Sequence, residues 1–182
     1  MIKSPKYIQY CVILFSMISV MACKQNQNET QVKKVMTAAD LLGNPSYQAI
    51  SYGGYRKKTR DIQPTIAELK EDLKIMYAMG IRILRTYNVH LAEAANLLRA
   101  IKEMKAENPS FEMFVMLGAW IDCKNAWTNL PPDHNIESDN NEIEIHRAIE
   151  LTNQYPDIVK IIAVGNEAMV KWATSYYVQP DV

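Results

Sequence analysis

Ile161-Ile162-Ala163-Val164-Gly165-Asn166-Glu167 is the stretch on which the fold turns. From Asp157 to Val164 the chain is apolar except for Lys160, and it is rich in β-branched residues. A run of that length and composition reads as a strand buried on both faces, the kind found in parallel sheets. It stops abruptly at Gly-Asn-Glu. In α/β proteins, chemistry is placed at the C-terminal mouths of parallel strands. A carboxylic acid beside a carboxamide at such a mouth makes a proton donor with a hydrogen-bonding neighbour. The same three residues also suit a plain turn, with Asn166 starting it and Glu167 capping it.

Upstream, strand and helix patterns alternate. Tyr47–Tyr52 alternates in polarity and closes at Gly53-Gly54, reading as a first strand. Pro64-Thr65-Ile66-Ala67-Glu68 has capping-box spacing, and Ile66, Leu69, Leu73, Met76 and Tyr77 form a helical stripe that Gly80 ends. Ile81–Tyr87 is a second strand. Leu91, Ala94, Ala95, Leu98, Ile101 and Met104 mark a helix over 91–106, and Phe111–Leu117 a third strand. A long polar connection, 118–140, carries Trp120, Trp127 and Pro131-Pro132. Asp139 and Glu142 suggest another capping box, and Ile143, His146, Ile149 and Leu151 continue as a third helix that ends near Tyr155-Pro156. The opening stretch is the fourth strand. Such alternation implies right-handed crossovers and a parallel sheet. An open doubly wound sheet and a closed barrel read alike this far, but the glycine turn of dinucleotide-binding sheets is missing. A full barrel takes about 250 residues. The expected fold class is therefore α/β, a (β/α)8 barrel represented by about its first four units over 44–182, with Trp172–Val182 as the loop into a fourth helix.

Composition narrows the function. Twenty basic and twenty acidic side chains leave no formal net charge. There is no basic surplus to neutralise phosphates, so nucleic acid is not an expected partner. His90, His134 and His146 share no metal-ligand spacing, and neither a metal nor a cofactor is expected. Cys123 reads as a small buried hydrophobe or a loop thiol.

The N-terminus carries an address. Lys3 and Lys6 precede an apolar segment from Tyr7 to Ala22, too short for a stable span. Val20-Met21-Ala22-Cys23 resembles the lipobox of bacterial lipoproteins. That resemblance implies a signal peptide over 1–22, lipidation of Cys23, and a membrane-anchored, extracytoplasmic protein of the cell envelope. Residues 24–34 contain one apolar side chain, Val32, and cannot build a core. Residues 23–43 are therefore expected to be a polar tether.

The strand sequences resemble glycoside hydrolase family 17, which includes the β-1,3-glucanases. Gly80-Ile81-Arg82-Ile83-Leu84-Arg85-Thr86-Tyr87-Asn88 is similar to that family's second strand, Val115-Met116-Leu117-Gly118 to its third, and Ile162–Glu167 to its fourth. Tyr52-Gly53 stands where the first ends. The four similarities occur in order between Tyr47 and Met169. The resemblance implies a (β/α)8 barrel that cleaves glucans with retention and binds poly- or oligosaccharide. It implies Glu167 as general acid/base, Asn166 as a hydrogen-bonding partner of the sugar, and Arg85, Tyr87 and Tyr52 at the mouth. Trp120 and Trp127 stand where aromatic faces would meet sugar rings. Retaining cleavage needs a neutral carboxylic acid and a second carboxylate. In the family that second group, the nucleophile, lies on the seventh strand, past the counterpart of Val182. The 182-residue chain alone is therefore expected to lack useful hydrolysis. Asn88 replaces the family's usual Asp after the tyrosine. Two other functions fit the same residues: a non-catalytic, lipid-anchored carbohydrate-binding protein and a glucan-remodelling transglycosylase.

Overall fold

A computed structural model describes residues 34–182. The expected signal segment, Cys23 and the expected tether up to residue 33 lie outside the described residues. The folded unit begins at Val35, earlier than the boundary at 44 expected from composition. Ala38–Leu41 forms a single helical turn, α1, and Leu41 is buried.

Four parallel strands make the main sheet: β1 (Gln48–Ser51), β2 (Ile81–Arg85), β3 (Phe114–Ala119) and β6 (Val159–Val164), hydrogen-bonded in that order. Spatial order follows chain order with no reversal. A doubly wound sheet reverses at its switch point. The observed order matches part of an α/β barrel. Helices α2 (Ile66–Ala78), α3 (Ala92–Glu107) and α4 (Asn140–Gln154) provide the connections. All three contribute to one core with one face of the sheet. Leu69, Leu73, Leu97, Leu98, Ile101 and Leu151 meet Leu84, Val115, Leu117 and Val159 there. On the opposite face, Ile83 and Phe114 pack with Leu41, Met36, Tyr47 and Met116, so α1 fills the N-terminal end of the inner surface.

Local chemistry explains the ends of α2. The Thr65 hydroxyl accepts from the Glu68 amide at 3.3 Å, and the Glu68 carboxylate accepts from the Thr65 amide at 2.8 Å. This reciprocal cap satisfies two donors that a helix start leaves open. Gly80 has φ +88°, the left-handed conformation that ends α2 and turns the chain into β2.

Four sequence expectations are corrected. The connection after β3 is not irregular throughout: β3 runs on to Ala119, and Cys123–Lys124 (β4) pairs antiparallel with Asp133–Glu137 (β5). Helix α4 turns a different face inward. Asn141, Glu144, Ala148 and Leu151 are buried, whereas Ile143 and Ile149 are exposed. The apolar stripe misleads here because two polar side chains are held inside by backbone groups of the loops beside them. No Asp139–Glu142 box forms, since Asp139 takes a helical backbone and makes no cap bond. The Ser138 hydroxyl instead accepts from the Asn140 amide at 3.3 Å. Finally, β6 is not buried on both faces. It is an edge strand among the described residues, and Val164 is exposed. Residues 165–182 contain turns and no helix. They fold back on the hairpin through the Cys123 amide on the Tyr176 carbonyl (3.1 Å) and the Gln179 amide on the His134 carbonyl (2.9 Å).

Candidate active site

A cavity of about 910 Å³ opens where the C-terminal ends of β2, β3 and β6 meet the start of α4. Strand geometry brings the side chains there. Side chains alternate along a strand, so Arg85 shares the inner face of β2 with Ile83. Gly118 lies on the same face of β3, and a Cβ there would sit 2.6 Å from the Tyr87 backbone. Only glycine lets the exits of β2 and β3 approach so closely. The Thr86 hydroxyl completes the contact by accepting from the Gly118 amide at 3.0 Å.

Six of the residues given a site role in the sequence line this cavity: Arg85, Tyr87, Trp120, Trp127, Asn166 and Glu167. The Arg85 guanidinium donates to the Asn166 side-chain oxygen at 3.1 Å and lies 5.6 Å from the centre of the Tyr87 ring. That bond leaves the Asn166 amide nitrogen as the free donor of its side chain. The buried Tyr176 hydroxyl donates to the Glu167 carboxylate at 3.3 Å. Burial, followed by the neighbouring Glu167 charge and this bond, raises the Tyr176 phenol above its usual range. Glu167 itself is exposed at the cavity wall.

Backbone strain is concentrated here. Glu167 (φ +55°) and Trp127 (φ +61°) are the described residues, other than glycine and asparagine, that adopt left-handed backbones, and both line the cavity. Such conformations cost about 1–3 kcal/mol and persist where surrounding structure imposes them. Trp120, Trp127 and Tyr176 form an aromatic cluster, with ring centres 5.0 Å apart for Trp120–Tyr176 and 5.1 Å for the stacked Trp127–Tyr176 pair. Trp127 remains 64% exposed, so one large aromatic surface faces solvent.

Tyr52 is not brought into this group. Its hydroxyl donates to Asp72 on α2 at 2.7 Å, its ring packs on the main core, and it does not line the cavity. Burial, then the bond to Asp72, raises its phenol well above the usual range.

Sequence reading missed the residue that ties the site together. One Glu144 oxygen accepts from the Val89 amide (2.6 Å) and the Trp120 amide (3.0 Å), and the other lies 3.1 Å from His90 Nδ1. A single buried carboxylate thus joins the loops after β2 and β3 to α4. Burial pushes the Glu144 carboxyl up, but the bonds from His90, Trp120 and Val89 outweigh it and hold it below the usual range. Its spacing from Asn141, Ala148 and Leu151 is helical, and that spacing was the signal. Asn141 is the second missed residue: its side chain accepts from the Asp122 amide (3.0 Å) and donates to the Asp122 carbonyl (2.9 Å). Among the described residues, no group of three or more His, Cys, Asp or Glu side chains is placed to hold a metal ion.

Carboxylate, carboxamide, guanidinium and an aromatic wall make a site able to hold a polar, ring-shaped ligand and exchange a proton with it. The crystal structure of an endo-laminarinase from Formosa Hel1_33_131 matches with a TM-score of 0.79 and 67% sequence identity, over 80% of this chain and 37% of that one. The chain thus spans little more than a third of that protein's length. No protein-family profile and no curated protein matches.

Proposed function

We propose that the chain belongs to glycoside hydrolase family 17, spans the first four units of a (β/α)8 barrel, and carries the acid/base of a retaining β-1,3-glucan hydrolase. The observation that carries this reading is the Arg85–Asn166–Glu167 group at the mouth of a parallel sheet, in a chain that is 67% identical to an endo-laminarinase over 80% of its length. Glu167 protonates the leaving oxygen, then takes a proton from the water that releases the glycosyl intermediate. The Asn166 amide, aligned by Arg85, donates to a sugar hydroxyl. Trp120 and Tyr87 border the ring. The nucleophile stands about 5–5.5 Å from the acid in retaining enzymes. Glu144 is unsuited to that role because both its oxygens are already engaged. The partner of Glu167 is proposed to come from a later strand of the barrel, and the 182-residue chain by itself to bind glucan without useful turnover.

A chimera tests this. The matching segment of the endo-laminarinase is replaced by this chain's residues and assayed on laminarin. The chimera is expected to release oligosaccharides. Glu167→Gln is expected to abolish release from laminarin while an activated aryl glucoside still reacts and azide restores turnover. Equal cleavage by the chimera and its Glu167→Gln form rejects the assignment. Products longer than the substrate would move the reading to a transglycosylase.

We further propose that Cys23 is lipidated and holds the domain at the cell envelope, on the strength of Val20-Met21-Ala22-Cys23. No helix among the described residues is long and apolar enough to cross a membrane. Labelled palmitate is expected to enter the protein in a bacterial host and to be lost in Cys23→Ser. Equal labelling of both forms removes the anchor.

A further inference from the structure

The chain enters the folded unit at the end of the sheet opposite the cavity. Met36 packs beside Leu41, Ile83 and Phe114, and α1 sits at the N-terminal ends of the strands, where the Tyr47 hydroxyl donates to Glu112 at 3.3 Å. The cavity lies past the other ends, beyond Arg85, Ala119 and Val164. A strand rises about 3.3 Å per residue, so the six residues of β3 or β6 set the two faces about 20 Å apart before the loops are added. The entry face also carries exposed apolar side chains. Val35 opens the folded unit, Leu42 caps the end of α1, and Met79 caps the end of α2 ahead of β2. Scattered singly, such side chains need no explanation. Here all three stand at the face by which the chain comes in from Cys23.

We propose that this N-terminal face is a membrane-facing surface, resting on the headgroup layer of a lipid bilayer through Val35, Leu42 and Met79, with the cavity turned away from the bilayer toward solution. The inference rests on the proposed lipidation of Cys23 and adds the orientation that such an anchor imposes. Cys23 to Lys34 is twelve residues. Covalent geometry limits that segment to about 3.3–3.6 Å per residue, or about 40 Å at full extension. An unconstrained chain of that length spans about 20 Å, enough to join the entry face to a bilayer directly beneath it. Bringing the cavity against the bilayer demands a longer route. The segment would first pass outward around the helix layer, a helix being about 10 Å across, and then climb about 20 Å of strand and the loops beyond. That path takes up nearly the whole contour and leaves the segment one stretched conformation, an entropic cost that the upright arrangement avoids. The apolar side chains act in the same direction, because Val35, Leu42 and Met79 shed water at the headgroup layer only with the entry face down.

Fluorescence quenching from the bilayer tests the orientation. The full chain, lipidated in a bacterial host, is placed in phosphatidylcholine vesicles that carry a nitroxide on the headgroup. A thiol-reactive fluorophore is attached at Met79→Cys on the entry face or at Ile143→Cys on the cavity rim, both exposed positions. Cys123 is buried and does not compete for the label, and Cys11 leaves with the proposed signal peptide. Leu42→Cys supplies a second entry-face position should Met79→Cys fail to fold. The label at position 79 or 42 is expected to be quenched several-fold more than the label at 143. Equal quenching at the two faces, or stronger quenching at 143, in a chain that floats with the vesicles overturns the orientation and leaves the anchor standing. A chain that takes up no palmitate and does not float with the vesicles overturns the anchor, and the orientation with it.

Discussion

Glu93 offers a quantitative test of the fold. It sits in the first turn of α3 and is 2% exposed, and one of its oxygens is buried without a partner. The segment after β1 covers it: Gln63 accepts from the Glu93 amide at 2.9 Å, and the Tyr55 hydroxyl is likewise buried and unpartnered. Burial raises its carboxyl from 4.5 to about 8, with Arg60 pulling weakly the other way. Each pH unit corresponds to about 1.36 kcal/mol, so ionising Glu93 in the folded state costs on the order of 5 kcal/mol more than in the unfolded chain. The sign follows from proton binding. The folded state holds the proton more tightly, so the stabilisation is complete below about pH 4.5 and lost as pH rises to about 8. Glu93→Gln removes this dependence. Its uncharged amide leaves buried donors unmatched, which lowers stability near pH 5 by about 1–3 kcal/mol. Urea unfolding from pH 5 to 9, followed by tryptophan fluorescence, is the assay. Groups common to both proteins cancel in the difference. The difference, variant minus wild type, is expected to rise by about 1.4 kcal/mol per pH unit and to change sign, then level off past pH 8. Parallel curves would refute the reasoning and place Glu93 in contact with water or a cation.

Further changes probe the joints of the site. Glu144→Ala leaves two backbone amides and His90 unpartnered and is expected to cost about 3–5 kcal/mol in urea unfolding. Since the Glu144 carboxyl is held low, the wild type should lose this contribution as pH falls below about 4.5, opposite in sign to Glu93, and a flat difference down to pH 3 would contradict it. Gly118→Ala drives a methyl into the Tyr87 backbone and is expected to cost about 1–3 kcal/mol and to displace Arg85; an unchanged midpoint would mean the two strands stand further apart. Tyr52→Phe removes the bond to Asp72, which Arg56 still holds, so stability should fall by about 1 kcal/mol and laminarihexaose affinity should stay within about twofold. A tenfold loss of affinity would return Tyr52 to the binding face.

The legible parts of this protein were those set by local rules. The Thr65–Glu68 cap, the Gly80 stop and the stripe of α3 each depend on residues within a few positions of one another, and each formed as the pattern required. The four parallel strands followed from alternation. Their ends shifted, β3 starting at Phe114 instead of Phe111, because pairing depends on the neighbouring strand and not on composition. Where burial was decided at a distance, pattern misled. Ile143 and Ile149 face outward, and Glu144 faces in, because amides from two other loops await a carboxylate there. Asp122 carried no signal at all in a polar connection. Its position depends on Asn141, nineteen residues on, and on a backbone fixed by the turn before α4.

Order along the chain determined the sheet: buried runs separated by amphipathic helices can be joined only by crossovers, and that puts every strand exit on one edge. Asn166 and Glu167 could therefore be assigned to a strand mouth from their positions, whereas Arg85 was placed there by the family resemblance. Which side chains meet in that mouth was settled only in three dimensions. The Arg85–Asn166 bond spans eighty-one residues, and Tyr176 reaches Glu167 because the final turns fold back over the hairpin. Contacts at such separations are set by packing and backbone register, which no local preference encodes.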